Sequence, residues 1–192
     1  MIDSDQKISE EPRDLDPQDL DPQSFVFENV WVLRAHFESN MYSYKTNYIH
    51  LMDVSTIGDW VQMLHSVDVT TLISQMQYYV IYERAVTSLS LFKQPVLPEW
   101  ENEHNHHGYT LSYRGPVESA EIANLWKKIT CDLVREGLDD FFLGVQISKK
   151  WIRKILSCKL DVWMSQHADV EDAKNTLCKI TGLTFTNVPR TQ

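Results

Sequence analysis

The chain has 192 residues, 43% of them hydrophobic, which suits one compact domain with a real core and leaves room for a tail. Its formal charge of −9 excludes general nucleic-acid binding through a broad basic face, so any such contact must be local. No run of about 18 apolar residues offers a membrane span, the N-terminus lacks the apolar core of a signal peptide, and three cysteines without CxxC spacing (Cys131, Cys158, Cys178) read as reduced thiols in an intracellular compartment.

Residues 1–24 hold eight acidic and two basic residues, almost nothing large and apolar, and a tandem DLDPQ repeat from Asp14 to Gln23. Such a segment buries too little apolar surface to offset its ordering entropy, so it reads as a disordered acidic tail ahead of a domain at 25–192. FENVWVLRAHF (27–37) alternates as a strand, with Trp31, Leu33, Ala35 and Phe37 on one side. A loop rich in Ser, Asn and Tyr spans 38–44, and 45–54 is again extended. TIGD at Thr56 is a helix-capping signal, and Ile57, Trp60, Val61 and Leu64 then recur at amphipathic spacing. Residues 76–82, 88–93 and 109–114 read as strands. Ile122, Leu125, Trp126, Ile129 and Leu133 form the stripe of a second helix, with Gly137 where a terminating glycine belongs. Strands at about 142–150 and 154–164 precede a last helix at about 169–181, ended by Gly182. Several adjacent strands separated by helices imply an α+β domain. In the 154–164 strand, Leu156, Cys158, Leu160 and Val162 face the core, so Lys159, Asp161 and Trp163 face away from it.

The stretch VLPEWENEHNHHG (96–108) offers three chemistries. His104, His106 and His107 could supply two or three ligands of a zinc site, but no cysteine lies nearby and a polar surface loop explains them. Glu101 or Glu103 beside a histidine could do acid/base work, but no nucleophile motif, phosphate loop or acidic metal cluster accompanies them, which argues against an enzyme. The third chemistry fits best. The Trp100 ring can stack on a flat base while the Glu101 carboxylate accepts two N–H donors from the base edge. Guanine presents two such donors side by side, and methylation on N7 makes it a cation that stacks more strongly.

LFKQPVLPEWENEHN, together with the Asn29-Val30-Trp31 opening, STIGDW, NLW and KLDVW, resembles the eukaryotic messenger-RNA cap-binding translation initiation factor family, from about Phe27 to Gly182. The resemblance implies a curved, mostly antiparallel sheet of about eight strands with three helices packed on its convex face. It implies no cofactor and no catalysis, a capped messenger RNA as ligand, and a monomer. Trp100 matches the stacking tryptophan, Glu101 the guanine-edge carboxylate, Trp163 the tryptophan beside the N7-methyl group, and Lys159 a phosphate-contacting lysine. The second stacking residue, usually Trp, is matched best by Tyr44, with Tyr42 as the alternative. The phosphate-binding arginine maps near Lys150, with Lys149 and Arg153 as neighbours.

The resemblance also implies a second site on the helices, where a scaffold initiation factor docks an amphipathic helix. There the chain departs from the pattern: Ile57, Trp60 and Val61 lie on the first helix, with Val61 at the usual tryptophan position, and Lys127 and Cys131 replace leucines on the second. A rewired contact follows, with a cap-binding repressor or storage factor as the alternative to an initiation factor. The small size and the loop changes are similar to those of divergent trypanosomatid members, whose messages carry a heavily methylated cap.

Overall fold

The computed structural model describes residues 25–37, 48–74, 80–81, 84–99, 108–115, 119–135, 141–152 and 155–189. In chain order the elements are β1 (Val26–Phe37), β2 (Tyr48–Thr56), α1 (Ile57–Ser66), α2 (Val69–Ser74), β3 (Val80–Ile81), β4 (Arg84–Lys93), β5 (Tyr109–Gly115), α3 (Ser119–Val134), β6 (Phe142–Ile152), β7 (Ile155–Met164), α4 (Val170–Thr181) and β8 (Thr186–Pro189). The strands form one eight-stranded sheet in the order β2-β1-β4-β6-β7-β5-β8, with β3 added to β4. Every pair is antiparallel.

Strand alternation decides which side chains meet the helices. Trp31, Leu33, Ala35 and Phe37 of β1 join Leu89 and Leu91 of β4, Val145 and Ile147 of β6, and Cys158, Leu160 and Val162 of β7 in the main core. The helices close that core with Met63, Leu72, Ile122, Trp126, Ile129 and Leu177, all buried. The apolar stripe of α3 is thus the one its sequence spacing indicates. Among the described residues no helix covers the other face of the sheet, the open face.

Local chemistry sets the element ends. Thr56 caps α1 in a reciprocal capping box: its hydroxyl accepts from the Asp59 amide at 3.1 Å, and the Asp59 carboxylate accepts from the Thr56 amide at 2.9 Å. The Ser55 amide and hydroxyl also donate to that carboxylate, at 3.0 and 2.9 Å. Asp169 caps α4, and Gly182 ends it in the left-handed region at φ 73°, where a side chain would be strained.

Among the described residues four helices stand where the sequence indicated three. The extra one, α2, is six residues long and rich in β-branched residues, which weakens its helical signal. Asp68 nucleates it by accepting from the Thr71 amide at 2.8 Å, and burial of Val69, Leu72 and Ile73 holds it down. Of the strand expected at 76–82 only Val80 and Ile81 are described. The short edge strand β8 lacks an apolar alternation and was not expected. Residues 1–24, the 38–44 loop and Gly137 lie outside the described residues.

Candidate functional site

Directly opposed residues in an antiparallel sheet share a face, so the registers define the open face row by row. One row runs Tyr48, His36, Ser88, Ser148, Lys159 and Arg114 from β2 to β5. The next runs His50, Arg34, Ser90, Gln146, Asp161 and Ser112. A third sets Val32, Phe92, Gly144, Trp163 and Thr110 side by side. Six strands therefore floor this face with polar side chains, edged on one side by an aromatic patch.

The polar floor is hydrogen-bonded. His36 Nε2 lies 2.9 Å from Ser90 Oγ, Gln146 Nε2 donates to Ser88 Oγ at 2.9 Å, and Ser112 Oγ donates to Asp161 Oδ1 at 2.5 Å. The Lys159 ammonium contacts the other oxygen of Asp161. Burial, reinforced by the nearby Arg34 charge, lowers the His36 pKa to about 4, so its imidazole is neutral at physiological pH. Arg34 is only 7% exposed, and its Nη1 has no hydrogen-bond partner among the described residues. Its guanidinium lies 6.0 Å from the centre of the Tyr48 ring. Burial pushes its pKa down, and Tyr48, Asp53 and Glu99 pull it back up.

Trp163 points to this face, as its alternation with Leu160 and Val162 requires, and is covered there. It is 3% exposed, clustered with Phe92, Val96 and Leu143 apart from the main core. Its ring meets Phe92 edge-on, with centroids 5.4 Å apart at 76°. Gly144 lies between the two in the register. A Cβ on Gly144 would fall 2.5 Å from Phe92 Cγ and 2.7 Å from the Leu91 carbonyl oxygen, so the close approach demands glycine.

The segment leading to Trp100 is tied to the same face. The Gln94 amide donates to the Val30 carbonyl at 2.8 Å, Val96 is buried against Trp163 and Phe92, and Glu99 Oε1 accepts from Tyr48 Oη at 2.8 Å. Burial, then the Glu99 hydrogen bond and charge, push the Tyr48 pKa to about 12. Chain up to Glu99 therefore spans from the aromatic patch to the β2 edge.

Of the residues singled out in the sequence, Lys159 and Trp163 come together on the open face. Lys150 pairs in register with Ser157, in the same alternate set as Ser148 and Lys159, whereas Lys149 pairs with core-facing Cys158. Tyr42, Tyr44, Trp100, Glu101, Arg153 and the three histidines His104, His106 and His107 lie outside the described residues. Among the described residues no three His, Cys, Asp or Glu side chains converge to hold a metal ion, and no helix is long and apolar enough to cross a membrane. The sequence reading missed Arg34, His36, Tyr48 and Glu99. Alternation within 27–37 signals the first two, since they fall between the core residues, but nothing local signals the contact of Glu99 with Tyr48.

The second set lies across the sheet. Trp60, Val61, Leu64, Trp126 and Lys127 line a groove of about 610 Å³ between α1 and α3. Trp60 Nε1 donates to Thr130 Oγ1 at 3.2 Å, which fixes its ring between the helices. Ile57 and Val61 are 36% and 40% exposed, large for apolar side chains, and Lys127 is exposed beside them. Lys127 and Cys131 also line an adjoining depression of about 410 Å³.

The described residues thus form an antiparallel sheet backed by helices on one face, with charged and aromatic side chains on the other. A family model described as eukaryotic initiation factor 4E matches residues 26–188, and the chain belongs to that family. The fold is similar to that of a schistosome eIF4E complexed with m7GpppG and 4E-BP, with a TM-score of 0.69 and 16% identity over 88% of this chain and 92% of that one. It is also similar to the schistosome eIF4E complexed with m7GpppA and 4E-BP, with a TM-score of 0.69 and 15% identity over 86% of this chain and 87% of the other. A C. elegans eIF4E-3 in complex with the 4E-binding protein Mextli and cap analog gives a TM-score of 0.67 and 14% identity, covering 84% and 91% of the two chains. No curated protein matches the sequence.

Proposed function

We propose that the chain binds the N7-methylguanosine 5′ cap of messenger RNA on the open face and brings the message to the translation initiation machinery through a scaffold protein. The observation that carries this reading is the anchoring of the 94–99 segment. Val96 and Glu99 hold the chain leading into Trp100-Glu101 against the face that bears Lys159 and Trp163. In this reading Trp100 and Tyr44 stack on the methylated base, Glu101 accepts its two N–H donors, and Trp163 backs the methyl side. Lys159, Lys150 and Arg153 contact the phosphates. The cap complexes of the schistosome and C. elegans proteins support the reading, since they share this fold.

The factor works by binding alone, without catalysis or cofactor, as a monomer in the cytoplasm, with residues 1–24 as a solvated acidic tail. The scaffold docks a helix in the groove between α1 and α3, against Ile57, Trp60, Val61, Lys127 and Cys131. The exposure of Lys127 in that groove favours one second reading, a cap-holding repressor that does not recruit the standard scaffold. Co-purification decides between them: a large scaffold with helicase supports initiation, and cap-bound protein without it supports repression.

Retention on N7-methyl-GTP resin tests the cap reading. Wild type is retained and eluted by free N7-methyl-GTP but not by GTP, and Glu101→Ala is lost from the resin while its melting temperature is kept. Equal retention of the Glu101→Ala protein overturns the assignment.

A further inference from the structure

Arg114 stands directly opposite Lys159 in the β5–β7 register, and so on the open face. Like charges placed opposite each other across two strands repel, unless an anion joins them. Lys159 has its own partner in Asp161, which is 5% exposed and held in turn by Ser112. Arg114 is exposed and forms no ion pair among the described residues. The pair therefore presents one compensated and one uncompensated cation, side by side, with Ser148 flanking Lys159 on β6.

The geometry points to Arg114 as a further phosphate-contacting residue of the open face: with Lys159 it brackets a phosphate of the capped strand and carries the cationic row from β7 onto β5. This inference rests on the cap-binding reading and names the ligand chemistry of its outer end. A guanidinium suits the task because its planar fork can donate two parallel hydrogen bonds to one phosphate. The buried Asp161 makes the arrangement directional. It tethers the Lys159 ammonium toward β5's Ser112, and so leaves the outer side of the row to Arg114.

The test compares wild type with Arg114→Ala, Arg114→Lys and Arg135→Ala. The last removes the same charge at the end of α3, on the helix side of the sheet. Each protein is melted to confirm its fold, then titrated with N7-methylguanosine, N7-methyl-GTP and a short capped RNA over a range of salt. Arg114→Ala weakens N7-methyl-GTP and capped RNA about tenfold, as loss of one charged hydrogen bond does, and leaves the phosphate-free nucleoside unaffected. Its log–log salt slope on capped RNA becomes shallower by roughly 0.7, the value for one phosphate contact on a single strand. Arg114→Lys restores the slope, and Arg135→Ala behaves as wild type. If wild type binds N7-methyl-GTP and Arg114→Ala matches it in affinity and slope, the inference falls alone. An equal loss in Arg135→Ala also overturns it, since net charge then explains the effect. Wild type that does not bind N7-methyl-GTP overturns the cap reading and this inference together.

Discussion

His36 is buried beside Ser90 and Tyr48 and keeps a neutral ring down to about pH 4, whereas an unfolded chain protonates its histidine near 6.5. Between those two values the unfolded state binds more protons, so stability is full above about pH 6.5 and falls as pH drops toward 4. The whole window amounts to roughly 3 kcal/mol at 1.36 kcal/mol per unit. Urea denaturation at pH 7.5 and pH 5 should show the loss in wild type and a flatter profile in His36→Gln; identical pH profiles would sink the assignment. Gly144 gives a second residue-scale prediction. A methyl there meets the Phe92 ring and the Leu91 carbonyl, so Gly144→Ala should destabilise by about 1–3 kcal/mol, the usual cost of overpacking. An unchanged denaturation midpoint would show that the Phe92–Trp163 patch relaxes freely. At this scale the sequence disclosed what alternation governs. Lys159 and Trp163 fall on one face because they are four apart in a strand, and the same rule yields Arg34 and His36. It could not disclose that Phe92 and Val96 cover Trp163, because that needs the β4–β6–β7 register and a loop folded over it.

Elements with strong local chemistry were the legible ones. TIGD announced α1 because a Thr and an acid three residues later satisfy each other's backbone partners. The α3 stripe was visible because five large apolar residues repeat along one face, and all five are buried. Helix α2 and strand β8 were not, since six residues with β-branched side chains and four residues ending in proline carry little periodicity; tertiary burial of Leu72 and pairing with β5 decide them. Thr56→Ala tests the cap of α1: the lost side-chain acceptor should cost about 0.5–2 kcal/mol in chemical denaturation. The α1–α3 groove carries a further prediction. A partner helix that covers exposed Lys127 must set an acidic residue against it, because an unpaired buried ammonium is costly. Lys127→Glu should therefore abolish scaffold recovery in pull-downs and leave retention on cap resin unchanged, since the groove and the open face lie on opposite sides of the sheet. Full scaffold recovery would place the partner elsewhere.

Over the whole molecule, the charge of −9 sets the terms for any RNA. Capped RNA should bind with a shallow salt dependence because few phosphates are touched, and uncapped RNA of equal length should bind poorly. Comparable affinities for the two would contradict the cap reading. Deleting residues 1–24 should leave cap affinity and melting temperature nearly unchanged, since that segment offers no apolar stripe to pack; a large drop in either would show that the DLDPQ repeats dock on the domain.

The link between Tyr48 and Glu99 has a kinetic meaning. It joins the edge strand of the sheet to a segment 51 residues further along, and both of its groups belong to the protein. The chain entering Trp100 is held by a bond between two protein groups, and a contact of that kind charges the entropy of fixing the segment to folding rather than to each encounter. Removing the phenolic hydroxyl transfers that ordering to the moment of binding. A Tyr48→Phe protein should then keep its fold and hold a cap analogue for a shorter residence time, with the change appearing mainly in dissociation, where related complexes usually differ.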